Sequence, residues 1–126
     1  MDRENDLLGI RPVIELEKEP TNELEKFQSD TLRPILKFQN PVLLMNFRQH
    51  LDKRKMRFDD LPKGKKKALI QQILMTDQKF KTYLVGIVCG LFTRKEWVFY
   101  LEHQDALNKR IRDLLIQRIE SQTYKI

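Results

Sequence analysis

The chain has 126 residues, a length that is enough to bury the core of one domain. Of these residues, 40% are apolar and 33% are charged. Its single cysteine excludes an internal disulfide, and its acidic first residues lack the apolar run of a secretory signal. We therefore expect a cytoplasmic protein.

Charge is divided unevenly along the chain. Residues 1–30 contain nine acids and four bases, a balance of −5, whereas residues 31–126 contain nine acids and twenty bases, a balance of +11. This split predicts an anionic partner for the body of the protein. It also fits an acidic arm that lies against the protein's own basic surface, which requires no partner.

The N-terminal stretch is predicted to form an arm rather than part of the helical body. Residues 1–20 lack a helical period, and Pro12 and Pro20 bracket the alternating pattern of Val13–Leu16. We expect an extended, acidic N-terminal arm, with a disordered terminus as the alternative. The helical domain then covers residues 21–126.

Two helices are predicted before the middle of the chain. Thr21 suits an N-cap, and apolar side chains then recur every three or four residues. Pro34 falls within this pattern and predicts a kink or break, because a proline inside a helix costs about 3 kcal/mol. Asn40–Pro41 predicts the start of the second helix, which should end near Lys55.

The second half of the chain predicts further helices and no strand. One begins near Pro62, and Thr76 can cap the next. Thr93 and Glu96 have the spacing of a capping box, and Asp105 can cap the last helix. The predicted fold is all-α, a single-domain bundle of five or six helices.

The stretch LVGIVCGLFT, from Leu84, holds two of the four glycines and the only cysteine. Its uncharged run is shorter than the roughly 20 residues of a membrane span, and it lacks the lysine of a phosphate-binding loop. Gly86, Cys89 and Gly90 share a strip of small residues, which predicts close helix packing and a buried, unreactive thiol. A ligand cavity or a homodimer contact along the strip are the alternatives.

Catalytic and metal-binding motifs are not recognisable. His50 and His103 belong to different predicted helices, and neither has the spacing of a metal-ligand motif. Asp59 and Asp60 are adjacent in a predicted turn, where such residues are common. We expect no metal and no cofactor and assign no catalytic residue. The sequence favours a non-enzymatic protein and leaves the question of an enzyme open.

The strongest charge feature is KRKMRFDDLPKGKKK, which contains eight bases and two acids. Part of it begins a predicted helix, where cations are electrostatically unfavourable, so local stability does not explain it. The pattern predicts binding of anions through charge, and a solvated surface is the alternative. The last helix adds Lys109, Arg110, Arg112 and Arg118. The candidate anion-binding residues are Lys53, Arg54, Lys55, Arg57, Lys63, Lys65, Lys66 and Lys67.

Three stretches resemble a family of small bacterial helical proteins whose members are sometimes labelled glyoxalase. They are TLRPILKFQNP, DQKFKTYLVGIVCGLFT and DALNKRIRDLLIQRIESQ, and the resemblance covers nearly the whole chain. It implies no activity. Glyoxalase I proteins bind a metal through histidine and glutamate on strands of paired βαβββ modules, whereas both histidines here lie in predicted helices. No site residue is carried over from the resemblance.

The sequence thus favours a helical binding or regulatory module whose basic loop meets nucleic acid or an acidic protein surface. One alternative is a scaffold that self-associates into a homo-oligomer. The other is an enzyme or ligand sensor that uses a cavity beside the glycine-containing helix. No membrane interaction is expected.

Overall fold

Helices make up the regular structure of this protein. The computed structural model describes residues 1–16 and 18–126, and these residues contain no strand, which confirms the all-α prediction. Glu17, which belongs to the predicted arm, lies outside the described residues. Within them, six helices build a single domain and a further short helix lies in the arm. The helices are α1 Arg3–Gly9, α2 Glu23–Phe27, α3 Arg33–Lys53, α4 Lys63–Thr76, α5 Gln78–Cys89, α6 Arg94–Glu102 and α7 Gln104–Glu120, with a π-helical turn at Gln28–Leu32 and 3-10 turns at Phe58–Asp60 and Thr123–Lys125.

The core lies where the four longest helices meet. α4 packs against α5 and α7, and α3 packs against α5. Each of these helices buries one face, because its apolar residues recur at helical spacing. Side chains from outside these helices complete the core. The fully buried large residues include Leu32, Ile35, Phe47, Leu51, Phe58, Ile70, Leu74, Leu84, Phe92 and Leu107.

The two prolines of α3 behave differently from each other. A π-helical turn precedes Pro34, which occupies the first turn of α3, where its missing N–H is not needed. The π-helical turn lies at the predicted position, but the helix is not broken there, because the backbone stays helical from Glu23 to Lys53. The kink stays a prediction. The predicted helix start at Asn40–Pro41 is wrong, because α3 continues through Pro41. Leu36 and Leu43, on either side of it, are buried in the same core, and this packing keeps the helix in one piece.

The other predicted helix starts agree with the structure to within two residues. The capping box of Thr93 is present as predicted. Asn22 caps α2 in place of Thr21, and Asp77 caps α5 in place of Thr76. In both cases two neighbouring residues can accept the N–H bond, and the sequence alone does not choose between them. α7 starts directly after His103 and does not use Asp105 as its cap.

The predicted close packing at Gly86 and Gly90 is wrong. Both glycines are exposed, and a Cβ at Gly86 would meet nothing within 4 Å. α5 turns Leu84 and Val88 toward the core, so the strip of small residues is its outer face. Only Cys89 of the strip is buried, and burial raises the pKa of its thiol to about 12, which keeps it protonated. The homodimer contact at this strip stays a prediction.

The N-terminal arm is partly helical and is attached to the body. Asp2 caps α1 by accepting the N–H of Asn5, so the arm is not extended from its first residue as predicted. The guanidinium of Arg3 donates to the carbonyl of Phe92 at 2.9 Å, beyond the end of α5. The N–H of Arg94 donates to the carboxylate of Glu4 at 2.9 Å. The arm therefore lies on the turn between α5 and α6.

One buried ion pair holds the arm in place. Both terminal nitrogens of Arg11 donate to the Glu96 carboxylate at 2.6 Å, and the two side chains are only 8% and 15% exposed. Glu96 also accepts the Thr31 hydroxyl at 2.9 Å and the Thr93 N–H at 2.8 Å. Burial raises the pKa of Glu96, but these hydrogen bonds outweigh it and leave the pKa below its ordinary value.

We predict that Glu96→Gln destabilises the protein by about 3 kcal/mol, because it leaves the buried Arg11 without a countercharge. Glutamine can still close the capping box through its amide oxygen, but its amide nitrogen replaces the oxygen that accepts from Arg11 and Thr31. The change therefore removes the charge and one acceptor together. The free energy of unfolding, measured in urea, gives the result. Glu102→Gln is the matched control on the same helix, since this exposed carboxylate forms no ion pair among the described residues. Equal effects of the two changes would contradict the assigned role of Glu96.

The pH dependence of stability gives a second readout of the same pair. The folded-state pKa of Glu96 is below its ordinary value of 4.5, so its stabilisation is present above that pH. It is lost as the pH falls through the folded-state pKa. The Glu96→Gln protein should therefore lose less stability than the wild type between pH 5 and acid denaturation. An unchanged acid limb would contradict the pKa direction.

Candidate functional site

The basic segment, Lys53–Lys67, covers the end of α3, a loop with one 3-10 turn and the start of α4. Phe58 anchors the loop, because its side chain is almost completely buried in the core. The charged groups around this anchor remain at the surface. Lys66 and Lys67 are partly exposed, and the exposed bases are Lys53, Arg54, Lys55, Arg57, Lys63 and Lys65.

Lys55 has an unusual backbone conformation. Its φ is 55°, the left-handed region in which helix C-termini usually place glycine. The N–H of Met56 donates to the carbonyl of Leu51 at 3.0 Å. The N–H of Lys55 donates to the carbonyl of Asp52, also at 3.0 Å. This is the hydrogen-bond pattern of a Schellman motif. A lysine at this position costs roughly 1 kcal/mol relative to glycine.

Most of the basic charge is not neutralised by neighbouring carboxylates. Arg54 donates to Asp77 at 2.6 Å, and the ammonium of Lys66 lies 5.2 Å from the ring centroid of Phe58. Asp59, one of the two acids of the segment, is bound at 2.9 and 3.0 Å by Arg48, which lies outside it. The bases with no ion pair to a described carboxylate are Lys53, Lys55, Arg57, Lys63, Lys65, Lys66 and Lys67.

The start of α4 is electropositive for two independent reasons. Its N-cap is Pro62, which provides no side-chain cap, and the first turn contains no acid. The free N–H groups of this turn carry the positive end of the helix dipole. Lysines at positions 63, 65, 66 and 67 add their charges there. Such a helix start attracts anions and repels cations, so its lysines do not stabilise the helix locally.

An exposed aromatic side chain lies beside these lysines. Lys63, Lys66 and Lys67 line a cleft of about 360 Å³. The other side of this cleft is formed by the end of the chain, with Glu120, Ser121, Thr123 and Tyr124. Tyr124 is 77% exposed there. The sequence gives no sign of this neighbour, because Tyr124 is far from the basic segment along the chain. The fold creates this site by packing α4 against α7.

The two histidines have structural environments. The His50 ring stacks on Phe80 with centroids 3.8 Å apart, and its Nε2 lies 3.1 Å from the carboxylate of Asp77. Burial, followed by the charge of Arg54, lowers the pKa of His50 and favours the neutral ring. A ring nitrogen of His103 lies 2.9 Å from the carbonyl oxygen of Phe99. The imidazole ring also stacks on the phenyl ring of Phe99.

In the described part of the chain, no group of three or more histidine, cysteine, aspartate or glutamate side chains is placed to hold a metal ion. No helix in residues 1–16 and 18–126 is long and apolar enough to cross a membrane.

Comparisons with protein families, curated proteins and solved structures find no match to this chain. The resemblance to small bacterial helical proteins stays a prediction.

We predict that Lys55→Gly stabilises the protein by about 1 kcal/mol, because glycine adopts a positive φ without a steric penalty. Lys55→Ala is the matched control, since it removes the same charge but keeps the Cβ atom. Urea unfolding of both proteins gives the comparison. A gain of stability in the alanine variant equal to that in the glycine variant would show that charge, not backbone strain, is responsible.

Proposed function

We propose that this protein is a non-enzymatic helical module that binds single-stranded nucleic acid through the basic segment and Tyr124. The observation that carries the proposal is the cleft in which Lys63, Lys66 and Lys67 lie beside an exposed aromatic ring. Single-strand binding sites combine these two elements, since cations track the phosphates and aromatic rings stack on bases.

The positions of the cations support binding rather than folding. Lys55 occupies a backbone conformation that favours glycine, and the lysines of α4 lie at the wrong end of a helix dipole. Both placements reduce the stability of the folded chain. An anionic partner would offset this by neutralising the charges and releasing counterions.

The acidic arm leaves the basic segment open to a partner. Among the described residues, the ion pair between the arm and the body joins Arg11, a base of the arm, to Glu96, an acid of the body. No described carboxylate of residues 1–30 lies within ion-pair distance of a base of Lys53–Lys67. This favours an external partner over the self-covering arrangement that the charge split also allowed.

We predict that replacing Lys63 and Lys67 by glutamine weakens binding of a single-stranded oligonucleotide about tenfold at low salt. The slope of log K against log salt should fall by about 1.4, since each lost phosphate contact contributes about 0.7. Fluorescence anisotropy across a salt series measures both quantities. Tyr124→Ala should weaken binding by about 1–3 kcal/mol if one base stacks on the ring.

Lys79 and Lys95 are the matched controls for this experiment. Both are exposed lysines outside the basic segment, so their replacement by glutamine changes net charge by the same amount. Equal weakening by both pairs would show only a dependence on net charge and would refute a defined interface. If the protein binds polyglutamate but not the oligonucleotide, with sensitivity to Lys63 and Lys67, the partner is an acidic protein surface.

A second function is favoured by one specific observation. Phe38, Val42 and Met45 form an apolar row on the outer side of α3, and Met45 is 70% exposed. Such a row suits self-association, the scaffold function considered from the sequence. Sedimentation at micromolar concentration separates the two functions. A dimer that dissociates on Met45→Glu would favour the scaffold, whereas a monomer would exclude it.

We infer a cytoplasmic site of action, as the sequence suggests. The support is the single thiol, which is buried and stays protonated.

A further inference from the structure

A second cleft combines two arginines that form no ion pair with a described carboxylate. It lies between the start of α3 and the end of α7 and has a volume of about 270 Å³. Arg33 and Arg118 line it, with Gln117, Ser121 and Gln122 as its other polar side chains. This is below the size of a typical pocket for a drug-sized molecule, so it suits a small group rather than a whole cofactor.

Arg118 is held in the cleft by neutral groups. Its guanidinium donates to the Asn40 amide oxygen at 3.4 Å, and it is partly buried. Asn40 and Gln122 exchange two hydrogen bonds of 2.8 and 2.9 Å, which fixes the amide that Arg118 contacts. One guanidinium nitrogen is therefore oriented toward a fixed amide oxygen, and this contact supplies no countercharge.

Both arginines line the same cleft, so their like charges are unfavourable there. The pKa of Arg118 is lowered mainly by its burial and, to a smaller extent, by the positive charge of Arg33. No described carboxylate lies within 4.0 Å of either group. Arg33 also lines a neighbouring cleft beside the arm, which contains the carboxylates of Glu15, Glu19 and Glu25. It forms no ion pair with these three residues. Two such cations are unfavourable unless an anion joins them.

We propose that the cleft of Arg33 and Arg118 binds a dianionic phosphate monoester group. The two guanidinium charges match the charge of about −2 of such a group at neutral pH, and their planar donors suit its oxygens. The Gln117 side-chain amide can add a donor. The Ser121 hydroxyl already donates to the carbonyl of Arg118 at 2.9 Å and is not needed. A carboxylate, with one charge, would leave one arginine uncompensated.

Two sources of this group fit the surroundings of the cleft. Ser121 lines both this cleft and the cleft of Lys63 and Tyr124, so the two sites adjoin. The terminal 5′-phosphate of a strand lying on the lysines could enter the arginine cleft. A free phosphate ion or a small phosphate monoester could enter it independently of any nucleic acid. The first source rests on the proposed function, and the second does not.

The test uses inorganic phosphate as the first probe and the full-length protein throughout. We expect saturable binding in calorimetry at pH 7.5 with a Kd below about 1 mM, against chloride of equal ionic strength. Arg118→Gln and Arg33→Gln should each weaken it about tenfold or more, because each removes a charge-assisted contact. Lys109→Gln, an exposed cation on the same helix, is the matched control and should leave it within about twofold.

A second pair of probes distinguishes the two sources. If a 5′-phosphorylated oligonucleotide binds more tightly than its 5′-hydroxyl form, and Arg118→Gln abolishes the difference, the group is the end of a strand. If phosphate binds but the two oligonucleotides do not differ, the source is a free phosphate or small monoester.

Two outcomes would overturn the proposal: absence of saturable phosphate binding, or binding that neither Arg118→Gln nor Arg33→Gln weakens beyond the control. Because Arg33 is exposed, its variant keeps the test valid if Arg118→Gln fails to fold. Loss of oligonucleotide binding on replacing Lys63 and Lys67, with phosphate binding intact, would separate this site from the proposed nucleic-acid interface. Failure of either one therefore does not imply failure of the other.

Discussion

The carboxylate of Glu96 holds together three parts of the structure that the chain alone does not connect. It receives Arg11 from the N-terminal arm, Thr31 from the π-helical turn and the N–H of Thr93 at the start of α6. A buried ion pair offsets its desolvation cost only when its polar atoms form hydrogen bonds. Both oxygens of the Glu96 carboxylate accept such bonds, whereas Arg11 Nε has no partner among the described residues. The arm is thus a structural part of the domain, and the basic side of the protein is left free.

Folding and the proposed binding function make opposite demands on the charges of this protein. At Glu96 the arm contributes a base and the body an acid, so opposite charges meet where they stabilise the fold. Around Lys55 and Lys63 the cations lie where a helix end or a backbone conformation disfavours them. Arg118 contacts the amide of Asn40 and forms no ion pair with a described carboxylate. The clefts of Lys63 and of Arg118 share Ser121, and we interpret the surface around it as the proposed binding side.

Local rules predicted the fold better than they predicted the site. Thr93 and Glu96 could be recognised as a capping box because the motif is contained in four residues. The strip of Gly86 was assigned to the wrong face, since a helical period does not say which side is buried. Arg11 lies 85 residues from Glu96, and no spacing rule connects them. Tyr124 joins the lysines only through tertiary packing, so the aromatic element of the site could not be predicted from the sequence.

The central claim is that the anion-binding surface is where the basic segment meets the end of the chain. The most direct measurement is an NMR titration of the 15N-labelled protein with a short single-stranded oligonucleotide at low salt. The account predicts that the amide signals of Lys63–Lys67 and Tyr124 shift together, and that the shifts shrink as salt rises. Shifts confined to the apolar row of Phe38–Met45, or an absence of shifts, would contradict it.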